Sequence, residues 1–171
     1  DDIDVVMLRA DYEAFLKIAQ KKLGKDYFLQ TKATDKNYVN PFAKIRKNGT
    51  VFRERLVEDV DMHHGIYIDI FPVDNAMPRS KKGYRQVKLL NYFREIKKGR
   101  TQERSHEESL FQRLLTDSMV DRVINYALNM FSNKKTDYVS DLVFNNTEKL
   151  YDEFSLSRET FESVIPGEFE G

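Results

Sequence analysis

Several features are missing from this chain of 171 residues, and each absence removes a class of structure. It contains no cysteine, which excludes disulfides and thiolate metal sites and favours a reducing compartment. No apolar run approaches the roughly 18 residues that a membrane-spanning helix needs. Lysine plus arginine equals aspartate plus glutamate at 28 each, so the net charge is zero and no overall basic field indicates a nucleic-acid partner.

The residues that are present predict a globular α+β fold. Apolar residues make up 40% and charged residues 33% of the chain, which is typical of a domain that buries a core. The pattern predicts strands at residues 3–7, 27–31, 41–47, 50–57 and 65–71, and helices over 9–23 and within 80–132. We expect a single domain over residues 1–171, with a small mixed sheet in 1–78, a helical block in 79–132 and a return segment in 133–171.

Local signals refine this prediction. Gly24 is expected to end the first helix, and the Asn48-Gly49 pair predicts a hairpin turn. Pro72 and Pro78 are expected to bracket a loop. The segment 137–146 is a further strand candidate, and a short helix capped by Ser157 is expected at 157–164.

An acidic pair begins the first predicted strand, in the sequence DDID. Side chains two residues apart on a strand point the same way, so Asp2 and Asp4 share a face and repel each other unless a cation lies between them. Such a pair suits Mg²⁺ or Mn²⁺. The alternative is a solvated acidic segment that precedes a helix.

A third carboxylate, Asp69, lies in the apolar sequence IYIDIFP. A carboxylate in such surroundings is costly unless it is paired or bound to a metal ion. If its strand lies beside the first, Asp2, Asp4 and Asp69 converge on a site for metal-assisted transfer of a phosphoryl or nucleotidyl group. The alternative is that Asp69 forms an ion pair with a nearby arginine or lysine.

Three motifs, DDIDVVMLRADYEAF, FAKIR and HGIYIDIFPVD, together resemble the LicD family, which includes phosphocholine transferases and relatives of the fukutin type. The resemblance covers most of the chain and is densest over residues 1–74. It implies a nucleotidyltransferase-like fold, with Asp2, Asp4 and Asp69 as both catalytic residues and metal ligands. The family usually has a Gly-Thr loop before the acidic motif and a tail with a Tyr-Gly pair after the terminal FEG sequence. Because this chain contains neither, we expect both ends to be truncated.

The resemblance also implies a function. We expect a metal-dependent enzyme that moves a substituted phosphate, such as phosphocholine, from a CDP-linked donor to a sugar hydroxyl of a cell-surface glycan such as lipopolysaccharide or teichoic acid. Asp69 would be either a shared metal ligand or the base for the acceptor hydroxyl. The alternatives are nucleotidyl transfer on the same fold and a non-catalytic interaction module.

Four further residues are candidates for binding the substrate. Arg9 would contact the donor phosphate or lie on the surface, and Lys44 and Arg46 would neutralise the diphosphate or pair with Asp69. His64 would contact a phosphate or acceptor hydroxyl, or be satisfied by the backbone. A zinc site at His63 and His64 is not expected, because the remaining histidine is in another segment.

The expected partners follow from the same chemistry. They are a CDP-linked donor and a glycan acceptor, with no nucleic acid and no obligate protein partner. Basic stretches at 81–88 and 94–100 are expected to be solvated, with weak contact to an anionic membrane surface as the alternative. We therefore expect a cytoplasmic protein, with a location at the inner face of the membrane as the alternative.

Overall fold

The computed structural model describes residues 3–101, 109–163 and 165–168. Within these, the chain divides after Val73 into two compact units. Asp2, part of the predicted metal site, lies outside the described residues, as does most of the polar link predicted near residue 105.

The first unit is a mixed sheet packed against a helix. Its elements are β1 (Asp4–Leu8), α1 (Arg9–Lys22), β2 (Tyr27–Gln30), β3 (Ala43–Lys47) and β4 (Tyr67–Ala76), the last of which continues into the second unit. The strand order is β2-β3-β4-β1; β1 is parallel to β4, and the other pairs are antiparallel. Gly24 follows the helix with a φ of 68°, the left-handed conformation predicted for the residue that ends it.

Alternation along the strands decides which side chains meet α1. Ala43 and Ile45 of β3 and Ile70 of β4 face the helix, where they pack with Tyr12 and Ala19. Full burial of a side chain the size of isoleucine contributes about 1.5–3 kcal/mol, so this face stabilises the unit. The intervening residues of the same strands point to the opposite face.

The second unit combines helices with a short antiparallel ladder. Its elements are α2 (Lys81–Thr101), α3 (Leu110–Leu114), α4 (Asp117–Leu128), β5 (Tyr138–Ser140), α5 (Glu148–Phe154), β6 (Leu156–Ser157) and a 3-10 helix (Arg158–Phe161). The end of β4 pairs with β5, and β5 pairs with β6. Its apolar core comprises Ala76, Val87, Leu90, Ala127, Leu142 and Tyr151, with a second cluster of Phe93, Ile96 and Val120. No described helix has both the length and the apolar character needed to cross a membrane.

The predicted α+β class is confirmed, as are the strands that become β1, β2 and β3. The predicted strand at 50–57 is wrong. Asn48-Gly49 does form a turn, in which Gly49 has a φ of 73°. The segment after it cannot join β3, because β2 and β4 already occupy both edges of that strand.

The predicted loop between Pro72 and Pro78 is also wrong, because β4 continues through Pro72 to Ala76. Pairing of β4 with β3 ends at Ile70, so the N–H that Pro72 lacks is not needed on that side. Near the C-terminus, a 3-10 helix follows Ser157, but the Ser157 side chain makes no capping hydrogen bond. Helix α5, which the periodicity did not predict, is capped by Thr147, whose hydroxyl accepts from the Leu150 N–H.

Candidate functional site

Two of the predicted acidic residues lie side by side. Asp4 of β1 pairs in register with Asp69 of β4, in neighbouring parallel strands. Paired residues project from the same face of a sheet, and adjacent strands are about 4.8 Å apart. Asp4 is exposed, whereas the Asp69 side chain is 12% exposed. The two carboxylates therefore lie next to each other on one face of the sheet, at the start of β1.

Lys44 flanks Asp69 on the other side. It is the register partner of Asp69 on β3, and its side chain is 2% exposed. Its Nζ lies 2.9 Å from Asp69 Oδ1 and donates a hydrogen bond to Oδ2 at 3.3 Å. The shorter contact is an ion pair of poor hydrogen-bond angle, so the buried Oδ1 has no hydrogen bond among the described residues. The structure therefore contains the lysine pair that was the alternative for Asp69.

Glu54 completes the charged cluster and was not predicted. Its Oε1 lies 3.2 Å from Lys44 Nζ and accepts from the Tyr67 hydroxyl at 3.1 Å. Its Oε2 accepts from Arg46 at 2.9 Å. Glu54 belongs to the segment 50–57, which was predicted as a strand. No pattern in the sequence indicated that its side chain would contact the cations of β3. We call Lys44, Arg46, Glu54, Tyr67 and Asp69 the charged cluster.

Tyr67 provides an aromatic surface for both cations. Lys44 Nζ lies 3.4 Å from the centre of the ring, and the guanidinium carbon of Arg46 lies 4.7 Å from it. Contacts of this kind stabilise a cation by about 0.5–2 kcal/mol, more where water is excluded. Burial, and then the Glu54 carboxylate, raise the pKa of Tyr67 to about 12, so the phenol stays protonated and donates.

The pKa values of the two partly buried carboxylates, Asp69 and Glu54, shift in opposite directions. Burial raises the pKa of Asp69; Lys44 opposes this shift, and the neighbouring Asp4 and Glu54 add to it. Burial also acts to raise the pKa of Glu54, but hydrogen bonds and charge from Arg46 and Lys44 outweigh it, and the pKa is lowered. Asp69 is therefore the better proton acceptor of the two, because a raised pKa brings a carboxylate closer to neutral pH.

Arg46 is wholly buried, and its nitrogens are already used. Besides Glu54, it donates to Gln30 Oε1 and, at 2.8 Å, to the Gly65 carbonyl oxygen. Gly65 has no room for a side chain, because a Cβ there would lie 2.3 Å from the Lys47 carbonyl oxygen. Arg46 thus connects β3 to the segment before β4 through hydrogen bonds. Of the two predicted cations, Lys44 is the one that pairs with Asp69.

Two predicted binding residues do not join the cluster. Arg9 begins α1, so it is about 16 Å from Asp4 at 3.3 Å per residue; its guanidinium lies 5.6 Å from the centre of the Tyr12 ring. His64 donates from Nε2 to the Val60 carbonyl oxygen at 2.8 Å, as the alternative to a substrate role expected, but its buried Nδ1 has no hydrogen-bond partner among the described residues. His63 stacks on Phe28 and hydrogen-bonds Asn48.

The predicted metal site is only partly within the described residues. No group of three or more histidine, aspartate or glutamate side chains in residues 3–101, 109–163 and 165–168 could hold a metal ion. Asp4 and Asp69 nevertheless fit Mg²⁺, which is commonly bound by one or two carboxylates and the substrate phosphates. Asp69 Oδ1, which has no hydrogen bond among the described residues and lies 2.9 Å from Lys44 Nζ, would be the ligand atom. The role of Asp2 stays a prediction.

Comparisons with known proteins found no matching family model, curated protein or solved structure. The resemblance to the LicD family therefore rests on the three quoted motifs.

Proposed function

We propose that this protein is a metal-dependent transferase that moves a substituted phosphate, such as phosphocholine, from a CDP-linked donor to a sugar hydroxyl. The observation that carries the proposal is the pairing of Asp4 with Asp69 in neighbouring strands, with Lys44 against Asp69. Two adjacent carboxylates can hold a metal ion, and a cation beside them can stabilise the charge that develops on phosphate during transfer.

Asp2 and Asp4 would hold Mg²⁺ or Mn²⁺, and Asp69 would be either a third ligand or the base that takes the proton of the acceptor hydroxyl. The bound cation would neutralise phosphate charge and orient the donor diphosphate. Asp2 is included because of the acidic motif alone.

The side chains of the protein carry out the remaining steps. As the base, Asp69 accepts the proton of the sugar hydroxyl. The hydroxyl oxygen then attacks phosphorus in line, the bond to the bridging oxygen of the diphosphate breaks, and CMP leaves. Lys44 holds Asp69 in position, and its positive charge stabilises the negative charge that builds up on the phosphate.

We further propose that the protein works in the cytoplasm near the membrane, where lipid-linked glycan precursors reside. Lys81, Lys82 and Arg85 support this, because they are exposed at the start of α2 and would attract anionic lipid headgroups.

The test is release of CMP from CDP-choline in the presence of Mg²⁺ and a sugar acceptor. We expect Asp4→Asn and Asp69→Asn to lower the rate by about a hundredfold or more, since each removes a group that acts on the reacting phosphate. Asp26→Asn is the matched control, because it makes the same change at an exposed turn and should leave the rate unchanged.

Normal turnover in an Asp2→Asn or Asp4→Asn variant would contradict the assignment. Release of pyrophosphate from CTP in place of CMP from CDP-choline would instead identify a nucleotidyltransferase on the same residues.

A binding module is the second candidate, because the ion pair of Lys44 with Asp69 also satisfies a buried carboxylate in a protein without catalysis. The two candidates differ in ligand binding. A transferase should gain thermal stability from CDP plus Mg²⁺, since a ligand that binds the native state raises the melting temperature. A module would show no such gain.

A further inference from the structure

A cavity of about 320 Å³ opens beside Glu54 in the first unit. Its volume is near the lower end of the range for small-molecule sites, about 300–1,000 Å³. Its wall combines hydrogen-bonding and apolar side chains, among them Asn37, Tyr38, Asn40, Leu56, Val57 and Met62. This mixture suits a flat ring that has polar edges and apolar faces.

Tyr38 gives this wall an unused hydrogen-bonding group. Its side chain is 2% exposed, and its hydroxyl has no hydrogen-bond partner among the described residues. The Asn40 side chain lies beside the phenol, on the same wall of the cavity. An unsatisfied buried hydroxyl costs free energy, so a group from a ligand would relieve this cost.

Glu54 lies where the cavity meets the two buried cations. Its carboxylate bridges Lys44 Nζ at 3.2 Å and Arg46 at 2.9 Å, and it accepts from the Tyr67 hydroxyl. Two buried cations and a phenol form a site that a phosphate would also fill.

Glu54 itself is held less firmly than the cations. Its side chain is 27% exposed, against 2% for Lys44 and none for Arg46. It belongs to a segment, residues 48–66, in which the structure has neither helix nor strand. Its carboxylate can therefore leave while the cations stay in the sheet.

We infer that this cavity binds a nucleoside phosphate, and that Glu54 occupies the phosphate position until the ligand arrives. The inference rests on the proposed function and adds to it the subsite that takes the donor nucleotide. The base lies against Tyr38 and the two asparagines, and the phosphate replaces the Glu54 carboxylate against Lys44 and Arg46. The exchange keeps the two cations paired with an anion, which their burial demands.

The first test is calorimetric titration of the whole chain with CMP and with ribose 5-phosphate, both without metal. Because Glu54 competes with the phosphate, Glu54→Gln should bind both probes about tenfold more tightly. Glu58→Gln is the matched control, because it makes the same change at an exposed position of the same segment and should not alter either affinity. CMP should bind more tightly than ribose 5-phosphate in every variant, since only CMP has a base.

The second test uses Tyr38→Phe. Loss of the hydroxyl should weaken CMP binding about fivefold and leave ribose 5-phosphate unaffected, while the melting temperature stays level or rises. A structural role for the hydroxyl would instead lower the melting temperature. This variant decides the question if Glu54→Gln does not fold.

Three results would overturn the inference. They are equal affinity for CMP and ribose 5-phosphate, weaker binding of both probes by Glu54→Gln, and unchanged CMP binding by Tyr38→Phe. The outcome is separable from that of the proposed function, because no turnover is measured. Nucleotide binding without CMP release from CDP-choline would contradict the transferase alone, and turnover without the expected binding changes would contradict the subsite alone.

Discussion

The two faces of the sheet in the first unit are built from the same strands but solve opposite problems. On one face, Ala43 and Ile70 pack against α1 in an apolar core. On the other, their chain neighbours Lys44 and Asp69 form a buried ion pair with Glu54 beside it. Burial of apolar side chains stabilises the fold, whereas a buried charge is tolerated only when a group of opposite charge lies beside it. The first face therefore stabilises the fold, and the second holds the candidate site.

The largest effect is expected on the charged face, from Lys44→Met. This change keeps much of the side-chain volume but leaves Asp69 without its cation and Glu54 with one partner fewer. Removing one partner of a buried pair typically costs about 3–5 kcal/mol of the free energy of unfolding. Urea unfolding at neutral pH measures the loss. A cost near zero would mean that water already screens the pair.

The matched change on the apolar face is Ile70→Ala, one residue away from Asp69. Ile70 is buried against α1, and we expect the variant to lose about 3 kcal/mol through lost burial and the cavity left behind. No ionisable group is removed, so the loss should hardly vary with pH, unlike that of Lys44→Met. A strongly pH-dependent loss would show that the two faces are coupled.

The smallest effect on the free energy of unfolding is expected from Glu54→Gln, and the direction of its pH dependence follows from the lowered pKa of Glu54. The folded pKa of Glu54 lies below its ordinary value of 4.5, so its contribution to stability is present above that pH and is lost as pH falls through the folded pKa. We expect Glu54→Gln to cost about 1 kcal/mol near neutral pH, discounted because solvent reaches Glu54, and less at pH 3.

Asp69 should behave in the opposite way, and this sharpens the comparison within the charged face. Its folded pKa is raised above 3.8, so its contribution to stability is fully present below that pH and is lost as pH rises through the folded pKa. Unfolding curves of Glu54→Gln and Asp69→Asn from pH 3 to 7 should therefore diverge from wild type in opposite directions. Parallel curves would contradict the assignment of the two environments.

Much of the first unit could be predicted because its signals are local. The alternation of β3 separates Lys44 and Arg46 from Ala43 and Ile45 without any knowledge of partners. The strand predicted at 50–57 failed because strand propensity does not tell whether a neighbouring edge is free. Glu54 was missed for the same reason, since its position depends on how that segment crosses the charged face.

The sequence by itself determined that Asp4 and Asp69 lie on strands and that a carboxylate among apolar residues needs a partner. Tertiary structure decided which partner it has. The pairing register of the strands places Asp4, Asp69 and Lys44 side by side across the sheet. Glu54, which contacts Lys44, lies in a segment with no repeating pattern. Periodicity specifies the face of a strand, but the pairing of strands distant in the chain depends on the packing of the whole unit.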